Sequence, residues 1–162
     1  MSSELVDYMA RTRDRYDSLG YVPYRWVVDD STPPWTHLSK PLAACRVGLI
    51  GSGGVYAVGQ QAYHFNDDVS YRIIASDTPA ADLRITHFAY DTRDARRDPS
   101  CVLPLRALHH LSALGEIKSV AADVFSFVGG IYSARRCRDE LARRLVDELV
   151  QQGCDVALLV PV

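Results

Sequence analysis

With 162 residues, 48% of them hydrophobic, the chain can bury one core, and a net charge of −2 with a pI near 6.2 excludes a polyanion-binding basic face. No apolar run approaches the ~18 residues of a membrane span, and the charged stretch 1–20 lacks the apolar centre of a signal peptide. Four scattered cysteines (Cys45, Cys101, Cys137, Cys154) make neither a CxxC pair nor a zinc-ligand spacing, so the expectation is a reduced, cytoplasmic protein with no metal, membrane or nucleic-acid site.

Residues 4–19 place Leu5, Tyr8, Met9, Tyr16 and Leu19 on one helical face, and Gly20 supplies the stop. From 21 to 44, Pro23, Pro33, Pro34 and Pro41 alternate with Tyr21, Tyr24, Trp26 and Trp35, which predicts an extended arm. Residues 1–44 thus read as an N-terminal helix and arm, and 45–162 as an α/β domain. Cys45 to Ile50 is the first strong strand. At its carboxyl end, Gly51-Ser52-Gly53-Gly54 allows a sharp turn close to a ligand, with N–H groups open to an anion. The dinucleotide fingerprint is not met, because Tyr56 stands where the third glycine belongs. A tight turn beside a small ligand fits better, with nucleotide binding as a rival.

Val69 to Ala75 and Asp82 to Phe88 read as two more strands, joined through the turn residues Ser76-Asp77-Thr78-Pro79. On the second, Leu83, Ile85 and His87 share a face, and Tyr90, Asp91, Asp94 and Asp98 follow. The residues leave two readings of His87: a hydrogen-bonded structural histidine, or an imidazole oriented by Asp91 as a general acid or base.

Pro104 opens a helix with Leu105, Leu108, Leu111 and Leu114 expected inward, and Ile117 to Val124 is a fourth strand leading to Gly129-Gly130. A helix over 133–152 carries an apolar stripe of Leu141, Leu145, Val146, Leu149 and Val150, and a solvated Arg-rich face. The run Asp155 to Val162 then reads as a buried parallel strand. In open α/β sheets ligands bind outside the carboxyl ends of the strands. The pattern therefore predicts the N-terminal part of an α/β enzyme whose nucleophile lies beyond residue 162 or on another chain. The fold expected is a largely parallel open sheet of about five strands with flanking helices, flavodoxin-like and incomplete at its C-terminus.

An ordered series of motifs over roughly residues 30–162 resembles selenoprotein B of the glycine, sarcosine and betaine reductases and the matching subunit of D-proline reductase. It comprises Val47 to Val55 with the glycine loop, the Val69–Ile74 strand, Ser76-Asp77-Thr78, Thr86-His87-Phe88-Ala89-Tyr90-Asp91, and Asp94 and Asp98. Cys101-Val102-Leu103-Pro104, Gly115-Glu116-Ile117 and Phe127-Val128-Gly129-Gly130 complete it. The resemblance implies reductive cleavage of a carbon–nitrogen bond α to a carboxylate, on glycine, betaine, sarcosine or D-proline-type substrates, with a thiol/disulfide acceptor. It implies a pyruvoyl group on a partner subunit, and a selenocysteine or cysteine directly after a strand like the last one here. By that resemblance His87 and Asp91 are the catalytic candidates, and Gly51, Ser52, Gly53, Gly54 and Tyr90 the substrate-binding ones. Partners are then other reductase subunits, or a chain completing the sheet. Two rivals stand beside this: a non-catalytic partner-binding domain, and a small-ligand or nucleotide-binding domain using the glycine loop.

Overall fold

The structure, a computed structural model, describes residues 7–22 and 27–162. It divides into two units, Met1–Trp35 and Thr36–Val162. In the first, Asp7 caps a helix α1 (Tyr8–Ser18) by accepting the Ala10 N–H at 2.9 Å. The helix ends where Gly20 takes a φ of +75°, a conformation that favours glycine. Leu5, and Pro23, Tyr24 and Trp26 of the expected aromatic arm, lie outside the described residues.

The second unit carries the sheet. Its strands are β1 (Arg46–Gly51), β2 (Val55–Ala57), β3 (Tyr71–Ala75), β4 (Leu83–Ile85), β5 (Ser119–Val120), β6 (Asp123–Phe127) and β7 (Val156–Val160). β7 pairs with β1 from Val47↔Val156 to Gly51↔Val160, in parallel along one whole edge. The other edge of β1 is shared by β5, at Arg46 and Val47, and β6, at Ile50 and Gly51, both parallel. β3 closes the far side antiparallel to β6. The result is a mixed α/β fold with a largely parallel five-stranded sheet. β4 does not join it: the strand expected to reach Phe88 stops at Ile85 and pairs with β2 in a separate antiparallel ribbon.

Alternation along β1 and β6 divides the core in two. Val47, Leu49, Val124 and Ile74 face a layer built by the ribbon (Val55, Leu83, Ile85) and by Leu105 and Leu108 of a helix over Leu105–Ala113. Ile50 and Phe125 face the other way, onto Leu141, Leu145 and Leu149. Those leucines come from the last helical stretch, which is not one continuous helix. A turn of α-helix (Ala134–Arg136) passes through a π-helical turn (Cys137–Leu141) into the helix Ala142–Gln151. Here the expected stripe is corrected in two of its five residues, because Val146 and Val150 face solvent, and Leu111 and Leu114 at the end of the earlier helix, also expected inward, are exposed too. The 142–151 helix packs close on the sheet: a Cβ on Gly48 would collide with the Leu149 side chain, and would lie 3.0 Å from the sulfur of Cys154 just beyond the helix.

β7 corrects the expectation of a buried strand. Val156 and Val160 lean on the first core layer, but Leu158 and Leu159 are exposed. Among the described residues no strand lies beyond β7, so it forms an edge of the sheet.

Candidate functional site

The carboxyl ends of β1, β6 and β7 converge on the loop Ser52–Gly54. The Ser52 N–H donates to the Val160 carbonyl at 3.0 Å, and the Gly54 N–H to the Phe127 carbonyl at 2.9 Å. The Ser52 carbonyl accepts the Gly129 N–H at 2.8 Å, and the Ser52 hydroxyl oxygen accepts the Val162 N–H at 2.9 Å. Beneath them the Val55 N–H donates to Oγ of the fully buried Ser126 at 2.9 Å. Of the N–H groups expected to be open to an anion, those of Ser52 and Gly54 are already bonded inside the protein, as is that of Val55 just beyond the loop.

The glycines have a packing reason instead. A Cβ on Gly53 would come within 2.7 Å of the Val102 Cβ, and one on Gly51 within 2.9 Å of the Val102 carbonyl oxygen. On Gly54, which also holds φ +70°, a Cβ would fall on the Thr86 carbonyl oxygen. The close approach anticipated for this loop is therefore to its own protein.

That same approach delivers His87. The Thr86 N–H donates to the Gly54 carbonyl at 2.9 Å, which seats His87 beside the glycine loop, two residues past the end of β4. A Cβ on Gly129 would lie 3.1 Å from His87 Nε2 and 3.6 Å from the Val162 carbonyl oxygen. His87, Ser52, Gly129 and Val162 thus meet at the carboxyl edge of the sheet.

The imidazole environment is specific. Nδ1 accepts the Ala89 N–H at 3.1 Å, so the neutral ring carries its proton on Nε2. Nε2 is buried and has no partner at full hydrogen-bond geometry. The nearby Ser52 carbonyl favours a proton there, but it already takes the Gly129 N–H. Burial outweighs that carbonyl and holds the His87 pKa below its ordinary value. The Tyr90 ring tilts against His87 at 4.5 Å between centroids, and its hydroxyl donates to the Gly53 carbonyl at 3.0 Å. Burial, with Cys101 nearby, raises the Tyr90 pKa.

Asp91 goes elsewhere. Its carboxylate is exposed and is held by the Arg93 guanidinium and the Arg93 N–H. The structure therefore brings His87, Tyr90 and the glycine loop together and gives Asp91 a different partner from the one proposed for it.

Two features were missed in the sequence. Tyr63 is buried below the loop, its hydroxyl proton shared between the Ser126 carbonyl (2.7 Å) and the Val55 carbonyl (2.9 Å). Asp67, at φ 47°, accepts the Tyr132 N–H at 2.6 Å and so ties its own loop to the segment after Gly130. The turn-forming run Asn66-Asp67-Asp68 was the available signal for that tie. Between the two segments lies a cavity of about 70 Å³, bordered by His64, Phe65, Phe88, Gly129 and Tyr132. Among the described residues no three His, Cys, Asp or Glu side chains gather as for a metal ion, and no helix is long and apolar enough to cross a membrane.

A family model described as glycine/sarcosine/betaine reductase selenoprotein B matches residues 25–161. D-proline reductase subunit gamma from Acetoanaerobium sticklandii is 29% identical over 130 residues, covering 79% of this chain and 54% of that subunit. The chain thus spans about half the length of this curated relative. No solved structure matches it.

Proposed function

Because the chain belongs to the glycine/sarcosine/betaine reductase selenoprotein B family, we propose that it is the scaffold part of an amino-acid reductase subunit, working with other subunits. The reaction is reductive cleavage of the carbon–nitrogen bond α to a carboxylate, on a substrate of the glycine, betaine, sarcosine or D-proline kind, with electrons from a thiol pair. The chalcogen nucleophile follows β7, on this polypeptide or on one that docks beside it. When bound, a pyruvoyl group on a partner subunit supplies activation of the substrate nitrogen.

The observation that carries this reading is the meeting of Val162 with Ser52 and Gly129 above an unpartnered, buried His87 Nε2. A group just past Val162 would stand close to a neutral N–H donor whose nitrogen is itself buried. Such a donor stabilises an anion, and the thiolate or selenolate is the reactive form of a chalcogen nucleophile. His87 then acts through Nε2–H as a donor to that anion. It does not act as a base through Nδ1, whose lone pair the Ala89 N–H already occupies. Tyr90 holds the imidazole from the side and anchors it to Gly53. The Ser52 and Gly54 amides, already bonded internally, are not assigned to the substrate carboxylate.

The first test is the nucleotide sequence after the Val162 codon. An in-frame UGA or cysteine codon with a second cysteine within a few residues is expected for the nucleophile in the same polypeptide. An unrelated frame moves the nucleophile to another chain. The second test reads His87 in the assembled reductase. Replacing it in His87→Gln should shift the pH profile of nucleophile alkylation upward by roughly one pH unit, and an unchanged profile removes His87 from this role.

A further inference from the structure

The outer side of β7 is the largest unexplained feature of the fold. Val156–Val160 contains no lysine, proline or other device that blunts an edge strand. Parallel strands are ordinarily covered on both faces, because their crossover helices lie there. On the helix side Ala157 and Leu159 continue the row set by Gly48 and Ile50 of β1. Leu159 is 64% exposed, and Val150 and Val146 on the neighbouring 142–151 helix are 70% and 55% exposed. Arg144 and Glu148 of that helix reach the Val69 carbonyl and the Tyr71 hydroxyl on the β3 side. This turns Val146 and Val150 to the opposite flank, toward β7, so the exposed apolar residues border the open backbone edge as a strip.

We infer that this strip and edge receive a further parallel strand with its crossover helix, from polypeptide corresponding to the part of D-proline reductase subunit gamma outside the match. Two observations choose that occupant. The match accounts for 54% of that subunit, so 46% (100 − 54) of it has no counterpart in the aligned region. The exposed surface also has two components, strand edge and helix-side strip, and a strand–helix unit satisfies both at once. A second copy of this chain would instead set β7 against its own symmetry mate, leaving Val146 and Val150 to find other cover. The inference rests on the reductase reading for the identity of the occupant, and deepens it by naming where the remaining polypeptide docks.

The test uses Leu159→Cys as a reporter, with the labelled site mapped by mass spectrometry to separate it from Cys101. In the 162-residue chain the introduced thiol should react with maleimide at a rate that does not depend on protein concentration. In a fusion carrying the remainder of the relative's subunit behind Val162, its reaction should slow at least tenfold. Amide exchange across 156–160 should slow by a similar factor. If the fusion does not fold, the remainder is supplied as a separate chain and read by the same label. Unchanged labelling in both formats overturns the inference. Concentration-dependent protection in the 162-residue chain alone also overturns it, in favour of a second copy. Protection without reductase turnover upholds the docking surface and removes the functional reading, whereas turnover without protection does the reverse.

Discussion

The two edges of the sheet are finished differently. β3 is covered: the side chain of Gln60 donates to the Ile73 carbonyl at 2.7 Å. Arg72 reaches from β3 to the Gln61 carbonyl at 2.6 Å while lying 4.4 Å over the Tyr63 ring. Irregular chain after β2 therefore takes the place of a neighbouring strand. β7 has no such cover among the described residues. Both strands are five residues long, but β3 carries Arg72 among its apolar residues whereas β7 has no charged side chain. What separates the edges is that Arg72, and Gln60 from the chain after β2, tie β3 to that neighbouring segment.

The strongest way to break the closed side is Gly54→Ala. The added methyl collides with the Thr86 carbonyl at a positive φ, so the β2–β4 ribbon cannot seat and the segment covering β3 loses its base. The expected loss is about 4 kcal/mol or more, or no folding at all, read from the urea midpoint. Near-normal stability would show that the cover does not depend on this close approach.

Tyr63→Phe is the next in size. It leaves the Val55 and Ser126 carbonyls without their shared donor in a buried setting, at a cost of about 1–3 kcal/mol. Burial pushes the Tyr63 phenol far above its ordinary pKa, so the wild-type ring should resist ionisation in alkaline difference spectra until the protein unfolds.

A smaller effect concerns His87, at the carboxyl end of the open side. Its folded pKa is lowered by burial, so between that value and the ordinary 6.5 the unfolded chain binds more proton than the folded one. Stability contributed by the neutral ring is complete above about pH 6.5 and is lost as pH falls through the folded pKa. The slope is no steeper than one proton. Melting curves from pH 8 to 5 should show this component in the wild type and lack it in His87→Gln. An identical profile in both would show that burial of this imidazole does not oppose its protonation.

Leu159→Lys should do least, changing stability by no more than about 0.5 kcal/mol, because the side chain is already in solvent. A loss of 2 kcal/mol or more would mean that β7 is not open, and the contrast between the two edges would collapse.

What the sequence determined by itself was whatever rests on local periodicity or on an ordered set of motifs. Apolar runs located β1 and β7, spacing of three and four located Leu141, Leu145 and Leu149, and the motif series carried the family. Glycine placement also pointed to close approach at Gly51–Gly54, though not to what approaches. Tertiary structure alone decided the partners. Val146 and Val150 belong to the same apolar pattern as Leu145 and Leu149, yet face solvent, because a helix stripe is buried only as far as the sheet beneath it extends. Asp91 stands four residues from His87, but a carboxylate binds the nearest well-placed cation, and that is Arg93. The amides of Ser52 and Gly54 looked available because their acceptors, Val160 and Phe127, lie more than seventy residues away in sequence. A hydrogen bond needs a partner at the right place in space, and sequence separation carries no record of that distance.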